Sequence, residues 1–240
     1  MIVTPYHHQD KSKKQEVELM FNNIAPRYDF LNHLLSMGID KGWRRKAIRM
    51  LEKESPKKIL DVATGTGDFA IAARTLRPES ITGIDIAERM LDEGRKKIMS
   101  LGLEKMIILT KGDSEQMPFP DNTFDAITVG FGVRNFENLE KGLREMFRVL
   151  KPGGTSLVLE FSNPTAFPVK QLYHFYFNSV LPLIGRMVSR DPAAYTYLPE
   201  SVKVFPTGEK FLEIYNRAGF MQTACIPLTF GIASIYKGKK

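Results

Sequence analysis

The pattern of apolar and polar positions changes twice along the chain and divides it into three zones. Up to about residue 55 the spacing is helical. Val17, Met20, Phe21 and Ile24 fall at i, i+3, i+4 and i+7, one stripe on one helix face. Pro26 breaks that stripe, and YDFLNHLLS starts a second helix. A third helix, residues 41–54, is basic on one side and stops before Pro56.

From residue 57 to 161, short apolar runs alternate with helical segments. KILDVA, ITGID, MIILTKGD, FDAITVG and TSLVLEF are β-branched and almost continuously apolar, as parallel strands buried on both faces must be. Between them, Leu139, Leu143, Met146, Phe147 and Leu150 repeat at helical spacing until Pro152 and two glycines. This alternation predicts an α/β chain: a doubly wound, mostly parallel sheet with right-handed crossovers and helices on both faces. The third zone opens on an aromatic-rich helical stretch holding Phe167, Tyr173, Phe175, Tyr176 and Phe177. It closes with a helix over 208–218 and two strand-like runs, FMQTACIPL and FGIASIY, able to pair as a hairpin.

Candidate chemistry clusters after the first strand. Asp61 ends that strand, and Gly65-Thr66-Gly67 follows. Glycines belong where a tight turn lets a ligand approach the backbone at a helix N-terminus. Gly65, Gly67 and Ala70 also satisfy the dinucleotide pattern, with Asp85 twenty residues after Gly65 where a ribose-binding acid stands. A nicotinamide-dependent oxidoreductase is therefore one reading. Against it, Asp61 sits badly beside a pyrophosphate. Asp113, after the third strand, is placed to accept from an adenine amino group, with Ser114 beside it. Met117-Pro118-Phe119-Pro120 supplies apolar side chains able to cover a base. That ordered set describes a pocket for S-adenosylmethionine, although Asp61 and Asp113 taken singly also read as turn or helix caps.

Composition narrows the class further. The chain has 240 residues, 43% hydrophobic and 25% charged, values that exclude disorder, collagen and coiled coil. The opening residues lack the basic-then-apolar order of a secretory signal, and the most apolar long stretch, 169–189, is interrupted by polar and charged residues. The lone Cys225 forms no internal disulfide. The expected location is the cytoplasm, peripheral to the inner face of the membrane. The net charge of +7 favours anionic partners. Nucleic acid is not expected, because the chain has Gly-Phe-Gly-Val-Arg-Asn where amino-methylating enzymes carry an Asn- or Asp-Pro-Pro-aromatic motif. No histidine joins acids or Cys225 at metal-ligand spacing, so no metal is expected.

Two longer segments, YDFLNHLLSMGIDKGWRR and RVLKPGGTSLVLEFS, resemble the C-methyltransferases of menaquinone and ubiquinone biosynthesis, within the class I S-adenosylmethionine-dependent methyltransferases. PFPDNTFD and GFGVRN extend the resemblance over nearly the whole chain, while Leu31, Asp40 and Gly130 stand where relatives often carry Met, His and Ser. The resemblance implies a Rossmann-like, seven-stranded, mostly parallel sheet with N-terminal helices. It implies one methyltransferase domain over residues 1–240: a helical cap (1–55), a cofactor core (56–162), an insertion covering the substrate (163–207), and a C-terminal helix with hairpin (208–240). Thr66, Asp85, Asp113 and Ser114 match cofactor positions, joined here by Asp61, Gly65 and Gly67. The implied acceptor is a polyprenylated naphthoquinol, demethylmenaquinol becoming menaquinol, or the corresponding ubiquinone precursor. Methylating a ring carbon needs an ionised ring hydroxyl, which makes Arg134 and Asn135, after the fourth strand, candidates to stabilise a phenolate. Asp29, and behind it His33, are candidates to relay the proton. The basic helix around Arg44–Arg49 is a candidate for contact with anionic lipid, and the aromatic stretch for cover of an isoprenoid tail.

Overall fold

The computed structural model describes residues 3–36, 38–176, 179, 191 and 193–240, with the backbone alone at 31, 33–35, 174 and 195. Its seven-stranded sheet comprises β1 (Lys58–Val62), β2 (Ser80–Asp85), β3 (Ile107–Lys111), β4 (Phe124–Gly130), β5 (Leu150–Phe161), β6 (Met221–Leu228) and β7 (Ala233–Lys239). The strand order is β3-β2-β1-β4-β5-β7-β6. All neighbours from β3 to β5 are parallel, and β7 enters antiparallel beside β5. The final hairpin thus closes the sheet edge, as its two apolar runs predicted.

The near-continuous strands are buried on both faces because helices cover both. Leu60, Val62, Ile127 and Val129 meet α6 (Leu139–Val149) and α9 (Glu209–Arg217) through Leu143, Met146, Phe211 and Tyr215. Ile59, Ile81 and Ala126 point the other way. They meet α3 (Ile39–Arg49), α4 (Asp68–Ala73) and α5 (Glu88–Ser100) through Ala47, Ile48, Ala70, Leu91 and Ile98. Alternation of side chains along each strand divides one sequence run between two cores. The helix expected over 41–54 begins and ends earlier, and Glu52–Glu54 forms a separate 3-10 turn.

Four further helices gather over the carboxyl edge of the parallel strands. They are α1 (Lys13–Ile24), α2 (Tyr28–Leu35), α7 (Val169–Phe175) and α8 (Ala193–Val204). Ser12 and Gln15 form a capping box that starts α1. Buried Glu16 accepts the backbone N–H groups of Tyr6, His7 and His8, tying the preceding segment down. The predicted stripe is real: Val17, Met20 and Ile24 pack against Tyr173, Ala194 and Tyr197. The aromatic stretch divides. Tyr173 is buried in this cluster, Phe167 and Phe175 are exposed, and Phe177 lies outside the described residues.

Candidate active site

Two cavities lie where the helical cap meets the sheet. The first is an open pocket lined by Gly65, Asp85, Ile86, Asp113, Ser114 and Asn135, with Val17, Phe21 and Tyr28 from the cap. Gly65 adopts φ +57°, a left-handed conformation natural to glycine, and presents its amide to Asp85. Asp85 ends β2, accepting N–H of Gly65 at 2.8 Å and of Ala87 at 2.9 Å. Burial raises its pKa despite both bonds. At Asp113 partial burial acts to raise the pKa, but the hydrogen bond and charge of Lys14 more than offset it and hold the carboxyl low. Lys14 Nζ lies 2.7 Å from Asp113 and 3.4 Å from Glu115. Ser114 lines the same wall.

Three other expected cofactor residues stand behind this pocket. Asp61 is fully buried; it accepts from Thr64 Oγ1, Thr128 Oγ1 at 2.7 Å and Ala70 N at 3.2 Å. Burial, only partly opposed by these donors, pushes its pKa up to about 6. Asp61 therefore fastens the glycine loop from beneath. Gly67, at φ +82°, is the N-cap of α4. The Thr66 hydroxyl donates to Asp29, while Lys97 Nζ donates to Asp29 Oδ2 at 2.6 Å, to Asp68 Oδ1 at 2.7 Å and to Thr66 Oγ1 at 3.2 Å. That cluster lines a different depression on the outer side of the loop. The structure thus brings Asp29 to the loop and not beside Arg134 and Asn135. The Met117–Pro120 segment also turns inward: Met117 is buried in the core and Phe119 packs edge-on against Phe124. Apolar cover in the pocket comes instead from Ile86, Met90, Phe131 and Phe136.

The second cavity is lined by Met20, Phe21, Ile24, Tyr28, Asn32, Phe131, Arg134, Phe161, Ala194, Tyr197 and Leu198. Phe21, Tyr28 and Phe131 belong to both cavities and form a partition between them. Phe131 holds its ring there from a left-handed backbone, φ +59°, a strained conformation of the kind that clusters at working sites. Arg134 Nη1 donates to Glu160 Oε1 at 2.8 Å and to the carbonyl of Phe131, and the guanidinium lies 5.6 Å over the Phe161 ring. Glu160 is wholly buried at the end of β5, and burial raises its pKa against the pull of Arg134. Asn135 Oδ1 accepts from Tyr197 at 3.1 Å. Arg134 Nε and Asn32 Nδ2 are buried donors with no partner among the described residues. The side chain of His33 lies outside the described residues.

Comparison with known proteins is decisive here. Residues 9–240 match the profile of the ubiE/COQ5 methyltransferase family. The chain belongs to that family. It is 50% identical over 239 residues to the demethylmenaquinone methyltransferase of Bacteroides fragilis, spanning 99% of this chain and 97% of that protein. It is 47% identical over 230 residues to the ubiquinone/menaquinone biosynthesis C-methyltransferase UbiE of Geotalea daltonii, spanning 95% and 97%. Its fold matches that of an S-adenosylmethionine-dependent methyltransferase from Thermotoga maritima, with TM-score 0.66 and 19% identity over 92% of this chain and 99% of that one. The chain is thus an S-adenosylmethionine-dependent methyltransferase of the class I fold, and the dinucleotide reading of Gly65, Gly67 and Ala70 gives way. The donor set of the first pocket fits this cofactor. Asp85, whose carboxylate meets only backbone amides, and Asp113, offset by Lys14, suit hydroxyls and an amino group better than a pyrophosphate.

Several residues escaped sequence reasoning. Asn32 and Tyr28 stood inside a recognised segment without a role. Glu160 had a readable signal, a lone acid within an otherwise apolar strand. Tyr197 and Lys14 carried none.

Proposed function

We propose that the protein methylates the ring carbon of demethylmenaquinol to give menaquinol, and that the aromatic partition marks where the methyl group crosses. The carrying observation is that the two cavities share Phe21, Tyr28 and Phe131, one rimmed by acids and the other apolar around one buried guanidinium.

The residues that would hold the cofactor are Asp85 for the ribose hydroxyls, Asp113 with Ser114 for the adenine, and Gly65 for close backbone approach. When bound, S-adenosylmethionine supplies a methyl group on a positive sulfur that departs with the bonding electron pair. Arg134 Nε and Asn32 Nδ2 donate to an oxygen of the quinol, which favours loss of its proton. The neighbouring ring carbon of that phenolate would be electron-rich enough to accept the methyl group; of the two protons given up, from oxygen and from that carbon, one returns to the oxygen and one passes to solvent, which leaves the neutral quinol. Arg134 stays charged throughout and acts as the electrostatic partner, with Glu160 fixing its direction. Met20, Ile24, Phe161 and Leu198 exclude water.

On this reading residues 1–55 and 163–207 form the cover over the acceptor, 56–162 carry the cofactor, and 208–240 complete the sheet. Phe167 and Phe175, exposed at the cap, give the isoprenoid tail its first apolar contacts. The tail also brings the enzyme to a bilayer surface. Among the described residues no helix is long and apolar enough to cross a membrane.

Transfer of labelled methyl to demethylmenaquinol, and not to a ubiquinone precursor, is the expected result. Arg134→Ala lowers turnover about 100-fold or more, the scale of losing an oxyanion donor, with little change in cofactor affinity. The opposite split, read by single-turnover kinetics beside calorimetry, would move Arg134 to the cofactor side.

A further inference from the structure

A groove between α3 and α4 lies outside both cavities. It is lined by Lys41, Arg44, Arg45, Arg49 and Arg74, with Ile48, Ile71 and Ala72 as apolar floor. Arg44 is buried and engaged, bound to Asp40 and 3.7 Å from Asp68. It therefore leaves the set expected to face lipid. The other four cations are exposed and have no ion pair among the described residues; two acids line the groove, Glu52 and Asp68, and Asp68 is engaged by Lys97 and Arg44.

Several cations elsewhere on the surface are paired instead. Arg95 pairs with Glu88 and Asp92, Arg144 with Glu140, Arg148 with Glu145 and Asp121, and Lys151 with Asp125. In the groove, four cations converge on one concavity and repel one another, an arrangement that an anion relieves. The inner side of the same helix carries Trp43, 6.1 Å from the partition residue Phe131, and the Arg44 guanidinium lies 5.7 Å over that ring. An occupant of the groove thus sits one helix away from the acceptor cavity.

We infer that this groove is the membrane-docking site, taking the phosphate of an anionic phospholipid headgroup between Lys41, Arg45, Arg49 and Arg74. The inference rests on the lipid-borne acceptor proposed above and says which surface meets the bilayer. Arginine forks match phosphate oxygens, and the apolar floor tolerates the glycerol end of the headgroup.

Sedimentation with phosphatidylcholine vesicles, with and without phosphatidylglycerol, tests it. The protein binds only the anionic vesicles, and Arg45→Gln with Arg49→Gln weakens that binding about 25-fold, about fivefold per lost charge. Arg144→Gln with Arg217→Gln removes the same charge from the pairs with Glu140 and has a far smaller effect. Equal loss from both double variants would overturn the site, as would inorganic phosphate bound in the groove without preference for anionic vesicles. Wild-type methyl transfer to a short-tailed quinol in vesicle-free buffer, run alongside, separates the two readings. Failure there strikes the acceptor assignment, whereas failure with vesicles strikes the groove.

Discussion

On the two sides of the aromatic partition, polar groups are held in opposite ways. Asp85 is fixed by backbone amides of its own and the neighbouring loop, and lines the pocket proposed for the cofactor. Arg134 is fixed by another charge, Glu160 from β5, in surroundings that otherwise offer aromatic rings. The cofactor side thus combines backbone hydrogen bonds with the partly exposed Lys14–Asp113 pair, whereas the acceptor side rests on one buried charge pair. Losing a single member should cost far more on the acceptor side.

Glu160→Ala is the strongest way to break that contrast. It leaves a guanidinium buried without its counter-charge, and unfolding in urea should show a loss of about 3–5 kcal/mol. A loss below about 1 kcal/mol would mean that water reaches Arg134 and the two sides are alike.

Asp61 sharpens the comparison from beneath the loop. Its pKa rises from the ordinary 3.8 to about 6 in the folded protein. The folded state therefore binds this proton more tightly, and stability from this group falls as pH rises from about 4 to about 6, by up to about 3 kcal/mol. A carbon-detected titration of the Asp61 carboxyl should show a midpoint near 6; one near 4 would make the loop as wet as the rim at Asp113.

The smallest effect belongs to Asp85→Ala, expected to weaken cofactor binding by about 1–3 kcal/mol in calorimetry, with the fold intact. Unchanged affinity would remove Asp85 from the cofactor side.

The same contrast explains what could be read in the chain. The sheet, its strand succession and the loop from Asp61 to Ala70 were legible because each lies in a contiguous run whose period or glycine spacing has one physical meaning. Asp85, Asp113 and Ser114 end or follow successive strands, so counting strands puts them on the wall of one pocket. The acceptor cavity draws Met20, Tyr28, Asn32, Arg134, Phe161 and Tyr197 from α1, α2, the loop after β4, the end of β5 and α8. No local spacing encodes that meeting. The place of Asp29 is hidden for a related reason: Lys97, 68 residues away, draws it to the outer side of the loop.

Helix α1 touches both chambers at once. Val17 and Phe21 face one, Met20, Phe21 and Ile24 the other, while Lys13 Nζ grips the carbonyls of Arg134 at 2.9 Å and Phe136 at 2.8 Å. A ligand that arrives first and settles this helix lowers the ordering cost for the second. Thermodynamic reciprocity then requires the quinol to tighten nucleoside binding by the same factor by which the nucleoside tightens the quinol.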